Sequence, residues 1–270
     1  MTRSAWMLAT LAFAFVPAAS GQQPTAPAST DRPQTAAHAA PPLSPQELER
    51  RADLFMARKR YPEAIEIYLR LVKKDQKNAA LLNRIGMAYQ HEGNLSQAKR
   101  YYERAIRADK TFFHAINNLG TVHYYRRNYR QAIRAYQRAL ALRSDVAVLH
   151  SNLGYAYFAQ KKYDEALAAF QRAIEIDPGL FERRGTTGSM FQQSLMGDRA
   201  LFFFFLAKSY AAMGNAERCA FYLRKARDEG YKKLAEVNKD PTFAAVLNDP
   251  LVQEALRPVP GAGANPPGLQ

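Results

Sequence analysis

The segment AVLHSNLGYAYFAQKKYDEALAAFQRAIEIDPGL, residues 147–180, carries two apolar stripes, a turn and a stop. Leu149, Leu153, Ala156 and Tyr157 recur at i, i+4, i+7 and i+8, which predicts one amphipathic helix. The polar turn Gln160-Lys161-Lys162 follows. A second stripe then runs through Tyr163, Ala166, Leu167, Phe170, Ala173 and Ile174, and Asp177-Pro178 ends it because proline cannot continue a helix. Small residues at Gly154 and Ala166 let the two backbones approach, with Tyr157 and Phe170 filling the space beside them.

The same columns recur along the chain every 34 residues: Gly86, Gly120 and Gly154; Ala64, Ala98, Ala132 and Ala166; Tyr68, Tyr102, Tyr136 and Phe170. Ala105, Ala139 and Ala173 keep this register, as do Ile85, Leu119 and Leu153. A fixed period of this size marks stacked supersecondary units, none of which buries its apolar face alone. Leu-Gly-x-x-Tyr, then Ala-x-x-x-Phe/Tyr, then Ala and a terminal Pro closely resemble the tetratricopeptide repeat (TPR). The units at 79–112, 113–146 and 147–180 carry the pattern, with His123 in place of one Tyr and Ser144 in place of one Pro. The unit at 45–78 diverges, having Ala52 at the glycine column and Arg51 at an apolar one, and reads as an N-terminal cap. A further unit near 200–233 begins with Leu206-Ala207-Lys208-Ser209-Tyr210, leaving 181–199 as an insertion.

The resemblance, covering 45–233, implies an all-α, right-handed solenoid of about five helix-turn-helix repeats. Asp240-Pro241 and Asp249-Pro250 each offer an N-cap followed by proline at the first helical position. Residues 234–257 therefore read as C-terminal capping helices, which repeat stacks need for solubility.

The ends read differently. Arg3, the apolar run Ala5 to Val16 and the small residues up to Ser20 predict a signal peptide over 1–20, and hence a periplasmic or extracellular protein. Residues 21–43 and 258–270 are rich in Pro and Ala and read as a disordered linker and tail. No run of eighteen apolar residues is present. The lone Cys219 excludes an intramolecular disulfide, and it falls in the small-residue column of the last repeat.

Catalysis finds no support. The five histidines form no His-Glu-x-x-His pair, and Gly185-Thr186-Thr187-Gly188-Ser189 lacks the Lys-Ser/Thr of a phosphate loop. No metal ligands and no cofactor are expected.

Binding is the expectation instead. The resemblance places the first helix of each unit on a concave groove, with Asn83, Arg84, Met87, Gln90 and His91 from one unit. Asn117, Asn118, Thr121, Tyr124 and Tyr125 come from the next, and Ser151, Asn152, Tyr155 and Phe158 from the third. Asn118 and Asn152 stand where some TPR proteins grip a peptide backbone; an amide donates and accepts, so it can pair with peptide groups without reading sequence. The alternative is that these asparagines merely face water. The Lys/Arg clamp of chaperone-binding relatives is missing, since Arg84 is a single cation.

Two other features stand out. The chain has a net charge of +14, and Ala79 to Arg143 holds twelve Lys and Arg against three acids, a net +9. Arg100, Arg104, Arg130, Arg134, Arg138 and Arg172 lie on second helices, on the convex side. They form either a patch for membrane headgroups or an envelope polymer, or a solvated face. Nucleic acid is not expected as a partner, because export removes the protein from it. Phe204 and Phe205, within Phe202–Phe205, take the positions of Asn117 and Asn118. They form either an open hydrophobic pocket or a site covered by the insertion through Met190, Phe191, Leu195 and Met196.

Overall fold

A computed structural model describes residues 43–183 and 198–257. The predicted signal, linker and tail, and most of the insertion with Met190, Phe191, Leu195 and Met196, lie outside these residues. The described chain is helical throughout, and its helices come in antiparallel pairs. These are α1 (Pro45–Ala57) with α2 (Tyr61–Val72), α3 (Ala79–His91) with α4 (Leu95–Ala108), and α5 (Phe113–Tyr125) with α6 (Tyr129–Leu142). Next come α7 (Ala147–Ala159) with α8 (Tyr163–Ile176), and α9 (Arg199–Ala212) with α10 (Ala216–Asp228). Each second helix packs on the first helix of the following pair, and α3, α5 and α7 also touch in series. This is the expected solenoid of five helix pairs.

Local sequence sets the ends of the helices. At α1, Ser44 Oγ accepts from Glu47 N and Glu47 Oε2 accepts from Ser44 N, a reciprocal capping box. Asn78, Asn94 and Asn215 cap α3, α4 and α10 with their side-chain oxygens. The turn inside each pair needs one left-handed residue. Gly93 and Gly214 supply it at φ +87° and +70°, while Lys59, Arg127 and Lys161 adopt φ near 60° at the corresponding positions.

The repeated glycines are steric. A Cβ on Gly86, Gly120 or Gly154 would come within 2.5, 2.7 or 2.6 Å of the ring of Tyr102, Tyr136 or Phe170 on the paired helix. The aromatic column occupies the place that the glycine column vacates, and both are buried.

The core is largest at the C-terminal end. Phe202 and Phe203 from α9 join Tyr155, Phe158 and Phe170, and the closing segment adds Val237, Phe243, Val246, Val252 and Ala255. Asp240 caps only a short 3-10 turn, Pro241–Phe243, whereas Asp249 starts the helix α11 (Pro250–Leu256), which packs on α10. A 3-10 helix over Leu234–Lys239 precedes both. Lys208 Nζ on α9 ties this cap down through Asp240 Oδ2 at 2.7 Å.

Candidate functional site

The first helices present their inner faces in a row, and one polar contact repeats between them. Asn152 Nδ2 donates to Asn117 Oδ1 at 2.8 Å, and Asn118 Nδ2 donates to Asn83 Oδ1 at 3.0 Å. Arg84 Nη1 meets Glu49 Oε1 at 3.0 Å. In each case a residue reaches the one 35 positions before it, on the preceding first helix. Asn117 Nδ2 links two of these bonds by donating to Asn118 Oδ1 at 3.2 Å, and Asn83 Nδ2 ends the chain on Met87 Sδ at 3.5 Å. The groove asparagines are therefore paired with one another across repeats. A buried amide must find partners, and here the neighbouring repeat supplies them. Asn152, fully buried, leaves its Oδ1 without a partner: Ser151 stands where Asn117 stands before Asn118, and its hydroxyl donates to Val148 O rather than to the neighbouring amide.

Arg84 is similarly engaged. Its Nη1 lies 2.7 and 2.6 Å from the two Asp53 carboxylate oxygens, and Tyr68 OH donates to the same carboxylate. Burial and Asp53 together push the Tyr68 hydroxyl far above its ordinary pKa, so it stays a donor. The acids hold the Arg84 guanidinium charged against the cost of partial burial. This cluster fastens α1 and α2 to α3.

Beside it the concave face opens into a cavity of about 500 Å³ lined by Asp53, Met56, Tyr68, Ala80, Asn83, Arg84, Met87, Phe112 and His114. Thioether and aromatic walls stand opposite a carboxylate, a guanidinium and an amide. That mixture suits one or two side chains of an extended segment: apolar surface for burial and a few polar groups for orientation. Desolvation first, then Arg143, lowers the pKa of His114, which keeps the ring neutral at pH 7.

Other expected groove residues fall on either side of this cavity. Gln90 Oε1 accepts from Tyr102 OH at 2.9 Å, and His91 stacks on Tyr61 at 5.3 Å. Tyr125 is half-buried. Thr121, Tyr124, Asn152, Tyr155 and Phe158 are buried, and for these five the expectation of an open groove face is corrected. Their burial has a clear cause. Thr121 Oγ1 accepts from Tyr136 OH at 3.2 Å, and Tyr124 packs edge-on against Tyr129. Tyr155 lies 5.4 Å from both Phe170 and Phe202, and Phe158 sits against Phe202 and Phe205. Ser151 is also buried, donating to Val148 O at 3.0 Å. Thus α9 fills the C-terminal half of the concave face with its phenylalanines.

Phe204 does not line an open pocket. It is buried, stacked on Tyr231 at 4.5 Å and near Phe243 at 5.8 Å, so the closing segment covers it. Phe205 is half-buried and stacks on Tyr163 at 5.1 Å. Cys219 is wholly buried, and desolvation pushes its thiol up to about 12; it is packing, as its column predicts.

The predicted arginine face is on second helices, with its members in different states. Arg138 Nη2 donates to Lys110 O at 3.1 Å, Arg172 pairs with Glu175 at 2.8 Å, and Arg104 lies over the Tyr101 ring. Arg100, Arg130 and Arg134 are exposed and have no acidic partner among the described residues.

Sequence reading missed Asp53, Met56, Tyr68 and Phe112. The signal was available for Asp53: with Ala52 at the glycine column, it takes the position of Met87 one unit earlier. The divergent look of that unit hid it.

Two family profiles, both described as Tetratricopeptide repeat, match this chain, one over residues 34–79 and 117–180 and the other over 79–112. Solved structures are similar at low identity. A crystal structure of MamA is 23% identical with a TM-score of 0.48, covering 68% of this chain and 96% of that one. YrrB, described as a TPR protein with an unusual peptide-binding site, is 22% identical with a TM-score of 0.47, covering 73% and 91%. TTC0263, a thermophilic TPR protein of Thermus thermophilus, is 18% identical with a TM-score of 0.49, covering 76% and 100%. No curated protein matches the chain in sequence. On the repeat period, the stacked helix pairs and the matched profiles, the chain belongs to the tetratricopeptide repeat family.

Proposed function

We propose that this protein is an exported, non-catalytic scaffold that binds an extended segment of another protein in the N-terminal half of its concave groove. The observation that carries the reading is the cavity of about 500 Å³ between α1, α3 and α5. Its walls mix apolar and polar side chains, and its floor is held in place by the Asp53–Arg84–Glu49 cluster. A preorganised floor lowers the ordering cost of binding. Because Arg84 already has two acids, the groove is not a reader of free carboxylates. Asn117 Nδ2 donates within its repeat to Asn118 and Asn118 Nδ2 donates across repeats to Asn83, so each of these half-buried amides retains a second N–H. Export rests on residues 1–20 and is tested separately by N-terminal sequencing of the mature protein.

Ala80, exposed in the first turn of α3, lines the cavity, so Ala80→Arg fills it without touching the core. Peptides selected from a random displayed library on the wild-type protein should fail to bind this variant. Undiminished binding would remove the cavity from the account. A second reading is peripheral contact with an anionic envelope surface through Arg100, Arg130 and Arg134. Reversing Arg134 to Glu should then release the protein from anionic vesicles and leave selected peptides bound.

A further inference from the structure

On the opposite side of the solenoid, α2 and α4 enclose a second cleft, of about 570 Å³. Its base is apolar, made by Leu69, Val72 and the Tyr101 ring, and its rim carries Arg70, Lys73 and Arg104. Glu66 and Gln76 complete the lining. None of the three cations has a carboxylate or carbonyl acceptor among the described residues. Arg70 and Lys73 stand at the carboxyl end of α2, where the helix dipole favours a cation with or without a ligand. That reason does not extend to Arg104, which lies within α4.

Arg138 holds the column of Arg104, and its guanidinium donates to the backbone carbonyl of Lys110 at 3.1 Å. Arg104 instead lies 5.0 Å from the centre of the Tyr101 ring, with its guanidinium at the cleft. Stacking on the ring restricts the side chain while leaving its N–H groups available. Tyr101 is itself fixed by Tyr89, at 5.6 Å between ring centres. In the next repeat Ala135 takes the place of Tyr101, so this arrangement is local to α2 and α4.

We propose that this convex cleft is a second docking site, for an acidic linear segment of a protein that carries one large apolar side chain. Three rim cations against Glu66 leave the lining net positive and complementary to Asp and Glu. The recessed base of Leu69, Val72 and Tyr101 gives an apolar side chain somewhere to go, which a flat lipid surface would not fill. The site is independent of the concave groove, and one scaffold could hold two partners on opposite faces.

The test uses the whole protein and fluorescein-labelled peptides of sequence Asp-Glu-Phe-Asp-Glu and Asp-Glu-Ser-Asp-Glu, read by fluorescence anisotropy. The Phe peptide should bind at low salt and bind more tightly than the Ser peptide by about fivefold or more, from burying the ring. Arg104→Gln and Arg70→Gln should each weaken it about five- to tenfold, while Ala80→Arg leaves it unchanged. Lys73→Gln and Arg70→Gln change exposed residues, so they keep the test valid if Arg104→Gln disturbs packing. Equal affinity for the two peptides would mean a charged surface without a pocket and would overturn the proposal. So would binding indifferent to these substitutions, or binding lost in Ala80→Arg. Vesicles containing phosphatidylglycerol that bind through Arg70 and Arg104 while the Phe peptide does not would assign the cleft to lipid instead.

Discussion

Gly154→Ala adds one methyl group at a point where the structure has no room for it. The new Cβ would lie 2.6 Å from both Cδ1 and Cε1 of Phe170 and 3.1 Å from its Cζ. Relief requires the ring to retreat by close to 1 Å, since carbon atoms pack at about 3.5–4.0 Å. Phe170 has nowhere to retreat: it is fully buried, with Tyr155, Phe202 and Phe181 at 5.4, 5.6 and 5.7 Å between ring centres. Overpacking of this kind costs about 1–3 kcal/mol. Replacing a mid-helix glycine by alanine returns about 1 kcal/mol of helix propensity. The net expectation is a loss of up to about 2 kcal/mol, in place of the usual gain from Gly→Ala in a helix. Phe170→Leu removes the obstructing ring edge, so in that background Gly154→Ala should be neutral or stabilising by up to about 1 kcal/mol. Urea unfolding of the four proteins closes the cycle, with a coupling of about 1–3 kcal/mol between the two sites. The slopes must agree for midpoints to be compared. Stabilisation by Gly154→Ala in the wild-type background would refute the argument that the ring excludes a Cβ.

Other expectations follow from the same contacts. His91, His114 and His123 are held neutral chiefly by desolvation, so their pKa values lie below the ordinary 6.5 in the folded protein. The unfolded chain then binds more protons, and stability should fall as the pH drops below about 6.5, before the carboxylates titrate; a thermal midpoint flat from pH 7 to 5 would contradict this. Lys161 stands at φ +60°, a conformation β-branched residues resist. Lys161→Val should therefore cost about 1–2 kcal/mol in urea unfolding and Lys161→Gly almost nothing. Arg84→Ala leaves Asp53 and Glu49 without their shared cation. These pairs are partly exposed, so global stability should change by no more than about 1 kcal/mol, while amides of α1 exchange faster. Asn118→Ala removes a bond to Asn83 and should cost about 1 kcal/mol in urea unfolding, even though the residue reads as a binding position.

The fold was legible because steric necessity repeats. Gly86, Gly120 and Gly154 announce the aromatic rings that press on them, and a period of 34 residues keeps each pair in register. The turn column went unread: Gly93 and Gly214 mark a left-handed position that Lys59, Arg127 and Lys161 share, and three lysines and arginines there hide the glycine signal. The site was less so. Sequence register says which column faces the groove, but not what lies over it. Tyr155 and Phe158 face the right way and are covered by Phe202 and Phe205 of a helix that an insertion separates from them. Asn118 and Asn152 suit a peptide backbone by chemistry, yet Asn83 and Asn117, 35 residues before them, each take one of their N–H groups, and Asn152 is wholly buried besides. Arg84 looked like a lone cation because Glu49 and Asp53 belong to the unit that departs most from the repeat pattern.

The central claim is that an extended segment occupies the cavity between α1, α3 and α5, and the methionines report on it directly. Met56 and Met87 line that cavity, while Met213 is exposed at the far end of α9. In the full chain labelled at its methionine methyl groups, a peptide selected on the wild-type protein should shift the Met56 and Met87 resonances and leave Met213 in place. A peptide that binds while Met56 and Met87 stay unmoved would contradict the account and place the binding surface elsewhere.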